Sequence, residues 1–241
     1  MSVCFDYSLN KECKFSSSID LLGYRARNQS TQIAYRFIRH GETEVSRLTY
    51  QELDRQAKAI AAALQSLEMA GERALLLYPP GLEFVTAFFG CLYAGVIAVP
   101  AYPPRRNQNM SRLQALVTEA QAKVALTTES LLSNIESRFA ENPEFPKLHW
   151  LTTDNISNEV SRSWIVPEVT SNTLAFLQYT SGSTGTPKGV MITHGNLLHN
   201  ERAIAQAFGH TEDTVVVGWL PLFHDMGLIG NVLQPLYLGQ P

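Results

Sequence analysis

The sequence predicts an α/β fold in which helices cover a mostly parallel β-sheet. Two observations support this prediction: short apolar runs alternate with amphipathic segments, and only a few residues connect one to the next. Strand–helix–strand units of this kind form right-handed crossovers, which place successive strands parallel in one sheet. Of the 241 residues, 45% are apolar and 17% are charged, so the chain can bury a core and is unlike a disordered polypeptide.

The first strong helix signal is a capping box from Thr49 to Glu52, whose side chains bond the free amides of a helix start. Apolar residues then recur at helical spacing: Leu53, Ala57, Ile60, Ala61 and Leu64. Gly71 ends this helix, and the wholly apolar residues 74–78 follow before a proline pair. Such a run is typical of a strand buried on both faces of a parallel sheet.

The remaining elements repeat this unit. Helices are predicted over residues 82–93, 130–140 and 196–208, and after a second capping box at residues 111–114. Further strands are predicted over residues 96–101, 124–128, 149–153, 174–180, 190–193 and 214–220. The polar residues 154–172 are interpreted as a connecting segment between a first βα block, residues 1–153, and a second block, residues 173–241.

Cysteine use and hydropathy favour a cytoplasmic location. Cys4, Cys13 and Cys91 are odd in number and scattered, unlike the cysteines of a disulfide framework or a zinc site. Residues 84–99 carry no charge, but they are interrupted by glycine and are shorter than the ~20 residues of a typical membrane span. We therefore predict no membrane span, and the charged N-terminus does not resemble a signal peptide.

The charge balance argues against nucleic acid as a ligand. There are 19 Lys and Arg against 22 Asp and Glu, a net charge of −3, whereas neutralising phosphates requires a basic face. The tight basic cluster Arg105-Arg106, with Arg112 nearby, is interpreted as a solvated loop. No HxxxH or HExxH pattern is present, so no metal bound by the protein is predicted.

The segment with the clearest chemistry is residues 179–189, YTSGSTGTPKG, at the end of a predicted apolar strand. Gly182 and Gly185 allow positive φ angles, so that successive N–H groups can point at one anion. The remaining donors are hydroxyls and one ammonium: Thr180, Ser181, Ser183, Thr184 and Lys188. This combination predicts a phosphate-binding loop at the carboxyl end of a parallel strand.

Two other interpretations of this segment fit it less well. A flexible Ser/Gly/Thr turn would not require the ordered hydroxyls, the paired glycines and the Pro-Lys-Gly end. A Walker A loop opens directly into a helix after G-x-x-x-x-G-K-[ST]. Here Gly185 is followed by Thr-Pro-Lys-Gly and then by an apolar, strand-like run. The spacing therefore indicates a phosphate loop of another kind.

The stretch TSGSTGTPKGV, followed by ITHGNL, resembles the phosphate-binding signature of the adenylate-forming acyl ligases, the AMP-binding superfamily. Residues 48–53 (LTYQEL), 93–104 (YAGVIAVPAYPP) and 220–230 (LPLFHDMGLIG) resemble further motifs of that superfamily in the same order. The last two are most similar to the fatty-acyl-AMP ligases. The resemblance runs from about residue 20 to the end, and it implies the N-terminal part of the large lobe of such an enzyme.

The resemblance implies a two-step reaction. A fatty carboxylate attacks the α-phosphate of ATP, pyrophosphate leaves, and the acyl-adenylate passes to the thiol of an acyl carrier protein in a lipid or polyketide pathway. The residues that would hold the β- and γ-phosphates are Thr180, Ser181, Gly182, Ser183, Thr184, Gly185 and Lys188. Magnesium would arrive with ATP.

His224 is the predicted catalytic residue. A lone histidine in an apolar setting is more often a hydrogen-bonded core residue, but the resemblance places His224 at the carboxylate end of the acyl pocket. There a protonated imidazole would balance charge where carboxylate and phosphate meet. Asp225 either orients that imidazole or caps the following helix, and we favour the cap.

Three interpretations of the activity stay open. In the family, the adenine pocket, the acidic magnesium ligand and the mobile C-terminal lobe follow the HDMGLIG segment and are absent here. The resemblance therefore implies part of a longer ligase that is inactive by itself. An acyl-CoA synthetase would differ in its thiol acceptor. A truncated binding module would hold its ligand without turnover.

Overall fold

The computed structural model describes residues 15–41, 43–104, 110–140, 146–180, 187–211 and 213–241. Its α-helices are α1 Ser18–Asn28, α2 Tyr50–Ser66, α3 Leu82–Ala94, α4 Ser111–Ala120, α5 Glu129–Ala140, α6 His194–Phe208 and α7 Gln234–Leu238. A 3-10 helix, Asn158–Ser163, and a π-helix, Met226–Leu233, complete the helical elements of this part of the chain. Its strands are β1 Ile33–Arg39, β2 Thr43–Thr49, β3 Arg73–Leu77, β4 Ile97–Ala101, β5 Val124–Thr127, β6 His149–Thr152, β7 Leu174–Thr180 and β8 Lys188–Thr193.

Six of the described strands form the main sheet, in the order β6-β5-β3-β4-β7-β8. The first five run parallel to one another, and β8 runs antiparallel to β7. Residues 181–187 alone separate β7 from β8, which is too short a connection for the crossover that a parallel pair needs. The predicted α/β fold with a mostly parallel, helix-covered sheet is confirmed.

The centre of the sheet is buried on both faces, as the apolar residues 74–78 predict. Leu75 and Leu77 of β3 belong to a core under α4. Ala74 and Leu76 point the other way, into the larger core beneath α2 and α3. Because side chains alternate along a strand, a continuous apolar run supplies both cores at once.

A second, two-stranded sheet was not predicted. β1 and β2 pair antiparallel through a turn at His40-Gly41. Most of β2 is exposed, so its side chains do not show the apolar alternation of a half-buried strand. The turn dipeptide between two extended runs is the signal that would have indicated this hairpin.

One predicted capping box is confirmed and the other is wrong. At α2, Glu52 N donates to Thr49 Oγ1 at 3.2 Å, and Thr49 N donates to Glu52 Oε2 at 2.8 Å. The bonds that Thr49 N and Thr49 Oγ1 donate to the Glu52 carboxylate lower the pKa of Glu52. At α4 the cap position is Met110, so Ser111 lies one residue too late to act as a cap. A box that was not predicted starts α6, between Thr193 and Asn196.

Residues 154–172 pack against the first block. The 3-10 helix Asn158–Ser163 lies on α2, and Trp164 Nε1 donates to Tyr93 O at 2.8 Å. Lys58 Nζ lies 5.0 Å from the centre of the Trp164 ring. The division of the chain at these residues stays a prediction.

The predicted strand at residues 214–220 is wrong. The segment has no regular secondary structure, and no described strand pairs with it. One backbone bond, Val216 N to Pro241 O at 3.2 Å, joins it to a distant part of the chain. Val217 and Trp219 are 80% and 89% exposed. Apolar, β-branched residues form a strand only where a neighbouring strand accepts their hydrogen bonds.

None of the helices in the described ranges is long and apolar enough to cross a bilayer.

Candidate functional site

The frame of the glycine-rich segment is the β7–β8 hairpin. In its register Thr180 pairs with Lys188, and Tyr179 pairs with Gly189. Two of the predicted phosphate ligands, Thr180 and Lys188, therefore lie directly across from each other, and both are exposed. The other predicted ligands lie outside the described residues: Ser181, Gly182, Ser183, Thr184 and Gly185.

The glycine that follows Lys188 at the start of β8 has a packing reason. A Cβ atom at position 189 would lie 2.9 Å from Tyr179 Cζ, so only glycine lets this ring lie across β8. The Tyr179 ring packs against the core under α4, and its hydroxyl donates to Glu119 on that helix. The strand that leads into the loop is thus fastened to α4 one residue before Thr180.

The segment before His224 is fastened to the opposite face of the same strand. Gln178 Nε2 donates to Phe223 O at 3.3 Å. The Phe223 ring meets the Tyr102 ring edge-on, with centroids 5.1 Å apart, just beyond the end of β4. Leu222 packs against the larger core. His224 therefore lies at the carboxyl end of the sheet, next to the strand that launches the loop.

His224 itself is exposed, with 61% of its side chain accessible, and so is not a core histidine. Its Nδ1 contacts the Asp225 carboxylate, which also accepts a bond from Met226 N at 2.7 Å. The predicted cap by Asp225 at the start of the following helix is confirmed, and the same side chain orients the imidazole. With Nδ1 engaged, Nε2 is the ring atom left for a ligand.

The turn that displays His224 is tight. His224 N donates to Pro221 O at 3.0 Å, and Leu228 N donates to His224 O at 2.8 Å. A Cβ atom at position 227 would collide with Pro221 O, which explains the glycine of the HDMG sequence.

Sequence reasoning missed Gln178 and Tyr102. Gln178 is the single amide in the run LAFLQ, and Tyr102 directly follows β4. A polar side chain near the carboxyl end of an apolar parallel strand is the signal that could have identified Gln178.

Two buried ionisable residues lie away from this site, on α6. His194 Nδ1 accepts a bond from Ser18 N at 3.2 Å, and burial lowers the pKa of His194 to about 4. It therefore joins α6 to α1 as a neutral imidazole. Glu201 is 2% exposed, and burial raises its pKa to about 8. The side-chain amide of Gln234 lies between Glu201 and His210.

The described ranges contain no group of three or more His, Cys, Asp or Glu side chains that could hold a metal ion. Cys91 is buried in α3, and burial raises the pKa of its thiol. Cys4, Cys13, Arg105 and Arg106 lie outside the described residues.

Comparison with known proteins identifies the family. Residues 23–241 match the family model of the AMP-binding enzymes. This chain belongs to the AMP-binding enzyme family. The predicted membership is therefore confirmed, and the chain's relatives include the fatty-acyl-AMP ligases that the two further motifs indicated.

Two curated relatives illustrate this similarity. The chain is 50% identical over 232 residues to the medium-chain-fatty-acid–[acyl-carrier-protein] ligase JamA of Moorena producens, covering 95% of this chain and 39% of that protein. It is 36% identical over 215 residues to the long-chain-fatty-acid–AMP ligase FadD32 of Mycolicibacterium smegmatis, covering 88% and 34%. The chain therefore spans well under half the length of these AMP-binding enzymes.

A solved structure shows the same fold. The fatty acyl-adenylate ligase of Legionella pneumophila, in complex with acyl adenylate and pyrophosphate, superposes with a TM-score of 0.86 at 41% identity. The match covers 97% of this chain and 40% of that one. The predicted assignment to the N-terminal part of the adenylate-forming fold is confirmed.

Proposed function

We propose that this chain is the phosphate-binding part of an ATP-dependent ligase that converts a fatty acid to acyl-AMP and pyrophosphate. The acyl group then passes to an acyl carrier protein, in a lipid or polyketide pathway. The observation that carries the proposal is the β7–β8 frame, which pairs Thr180 with Lys188 at the carboxyl end of the sheet in an AMP-binding enzyme chain.

The proposed role of the loop is to hold the β- and γ-phosphates of ATP. Lys188 supplies a positive charge and Thr180 a hydroxyl, and each charge-assisted bond contributes about 1.5–3 kcal/mol. The other proposed phosphate ligands are Ser181, Gly182, Ser183, Thr184 and Gly185. Because these groups neutralise charge on the departing pyrophosphate, they favour its departure from the α-phosphate. Magnesium, brought with ATP, would add positive charge at the same phosphates.

The proposed role of His224 is to receive the fatty carboxylate beside the α-phosphate. The carboxylate and the phosphate repel each other as they approach, and a hydrogen bond donated by Nε2–H of His224 offsets part of that repulsion. Asp225 holds Nδ1, so the ring presents Nε2 in one orientation. The segment's attachment to β7 supports this role, since it sets His224 near the strand end that launches the loop.

The carrier protein is the proposed acceptor because the 50% identical relative is named as an acyl-carrier-protein ligase. Coenzyme A is the second candidate. It is favoured by a 34% identical relative named as a putative fatty-acid–CoA ligase, from Mycobacterium bovis.

Mass spectrometry distinguishes the two acceptors. The complete ligase containing this chain is incubated with ATP, mixed fatty acids and either coenzyme A or holo-carrier protein. Apo-carrier protein serves as the control. Acyl-carrier thioester without acyl-CoA is expected, and the reverse result would assign the second candidate.

Substitutions in the loop test the phosphate assignment. In the complete ligase, Lys188→Ala and Thr184→Ala are expected to reduce ATP–pyrophosphate exchange with a fatty acid, by about 10- to 100-fold for Lys188. The matched control is Lys123→Ala, an exposed lysine at the amino end of β5. Wild-type exchange by both loop variants would contradict the assignment.

A further inference from the structure

We propose that Gln178 is a positioning residue that sets the orientation of His224, and that it governs use of the fatty acid rather than of ATP. This inference rests on the proposed function, because it takes His224 as the group that receives the fatty carboxylate.

Gln178 holds the peptide unit that leads into His224. The amide Nε2 of Gln178 donates to Phe223 O, and the N–H of the same peptide unit, His224 N, donates to Pro221 O at 3.0 Å. Both ends of this peptide are therefore bonded, which fixes the plane from which the His224 side chain departs. Asp225 fixes the ring itself at Nδ1. Backbone and ring are thus restrained independently.

Strand alternation explains why Gln178 can reach this segment. Successive side chains of a strand point to opposite faces, about 3.3 Å apart along the chain. Tyr179 points toward α4, so Gln178 points to the opposite face, where Phe223 lies. Thr180 follows two residues after Gln178, or about 7 Å further along the strand. One strand end therefore connects the His224 segment with the proposed phosphate loop.

Burying the side-chain amide of Gln178 costs free energy, because one of its polar atoms lacks a hydrogen bond within the part of the chain that the structure describes. Its oxygen, Oε1, is buried without a hydrogen-bond partner among the described residues. A buried polar atom in this state destabilises the fold, and an apolar side chain of similar size would avoid that penalty. The function that an apolar side chain cannot replace is the bond donated to Phe223 O.

Tyr102 restrains the same segment from β4. Its ring meets the Phe223 ring at an interplanar angle of 80°, so Phe223 is held by a side-chain contact as well as by its carbonyl oxygen. The contact is weaker than a hydrogen bond to the peptide, because Tyr102 is partly exposed. We therefore expect Tyr102 to have the same kind of effect as Gln178, with a smaller size.

The test is ATP–pyrophosphate exchange by the complete ligase, with KM determined separately for fatty acid and for ATP. Gln178→Leu removes the donor at similar volume and is expected to raise the fatty-acid KM about tenfold, with less than a twofold change in the KM for ATP. In a His224→Ala background, Gln178→Leu is expected to have no further effect, because the group it positions is gone. Tyr102→Ala, a milder variant at a partly exposed site, is expected to raise the fatty-acid KM about threefold with the same selectivity.

Val190→Ala is the matched control, because Val190 pairs with Gln178 across the hairpin but lies on the exposed edge strand. It should leave both KM values unchanged. Equal changes in the two KM values, or effects of Gln178→Leu and His224→Ala that simply add, would overturn the positioning role. A His224→Ala enzyme with wild-type use of fatty acid would overturn it as well. Absence of exchange by the wild-type ligase with any fatty acid would instead contradict the proposed function.

Discussion

Two mostly apolar segments of the molecule, β3 and residues 214–220, have opposite structures. Leu75 and Leu76 in β3 are completely buried, whereas Trp219 is 89% exposed. β3 has β4 and β5 on its two sides and helices on both faces. Residues 214–220 have no described strand beside them. The difference shows that an apolar run has only a propensity to form a β-strand. Pairing with neighbouring strands decides whether the strand forms.

β8 is intermediate between these two segments. Its inner side bonds β7 along its whole length, but no described strand pairs with its outer side. Met191 and Val190 on this strand are 67% and 47% exposed. An edge strand of this kind presents free backbone groups and apolar side chains together. Exposure of apolar residues therefore increases from the centre of the sheet toward β8 and residues 214–220.

The largest expected effect is the difference in stability lost when a side chain is truncated in the core over the sheet and when one is truncated in residues 214–220. Phe88 on α3 is fully buried and contacts the rings of Phe84, Phe89 and Phe176. Phe88→Ala is expected to lower the free energy of unfolding by about 3–5 kcal/mol. Trp219→Ala is expected to change it by less than about 0.5 kcal/mol. Urea denaturation of this chain measures both, and equal losses would show that residues 214–220 are packed in solution.

The second effect concerns the buried carboxyl group of Glu201 on α6. The pKa of Glu201 is raised from 4.5 to about 8, so the folded state keeps a proton that the unfolded state releases. The stability linked to that proton is complete below about pH 4.5 and is lost as pH rises toward 8. Between pH 5 and pH 8, the free energy of unfolding of the wild type is expected to fall by about 3 kcal/mol relative to that of Glu201→Gln.

Denaturation of the two proteins at a series of pH values measures this loss. The depressed pKa of His194, about 4, acts in the opposite direction between pH 4 and 6.5. It is present in both proteins and cancels in the difference. Parallel pH profiles for wild type and Glu201→Gln would contradict the buried, protonated state of Glu201.

The smallest expected effect is the stability contributed by the N-terminal caps of three helices, whose capping the sequence pattern alone does not distinguish. Thr49→Ala removes a reciprocal cap at α2 and is expected to cost about 1 kcal/mol. Thr193→Ala, at α6, should cost a similar amount. Ser111→Ala, inside the first turn of α4, is expected to cost less than half as much. Thermal unfolding of the three variants measures the differences, and an equal loss at Ser111 would restore the predicted box there.

Local patterns predicted most elements between Thr49 and Phe208, because helix and strand periodicity and capping depend on residues a few positions apart. The same reasoning identified the loop segment, but it started the following strand at residue 190, whereas β8 begins at Lys188 and pairs with β7 in a hairpin. It failed where one residue of offset matters, as at Ser111, and where strands are mostly exposed, as in β2. It also missed Gln178, because its partner, Phe223, lies 45 residues away in the sequence.

The sequence by itself determined the alternation of strands and helices, the capping box of α2, and the order of hydroxyls, glycines and lysine in the loop. Only the tertiary structure decided that β3 lies between β4 and β5, that residues 214–220 stay unpaired, and that His224 is exposed at the end of β7. Periodicity and capping are satisfied within a few residues of chain. Strand order, burial and the Gln178–Phe223 bond depend instead on which distant segments meet, and that follows from packing the whole chain at once.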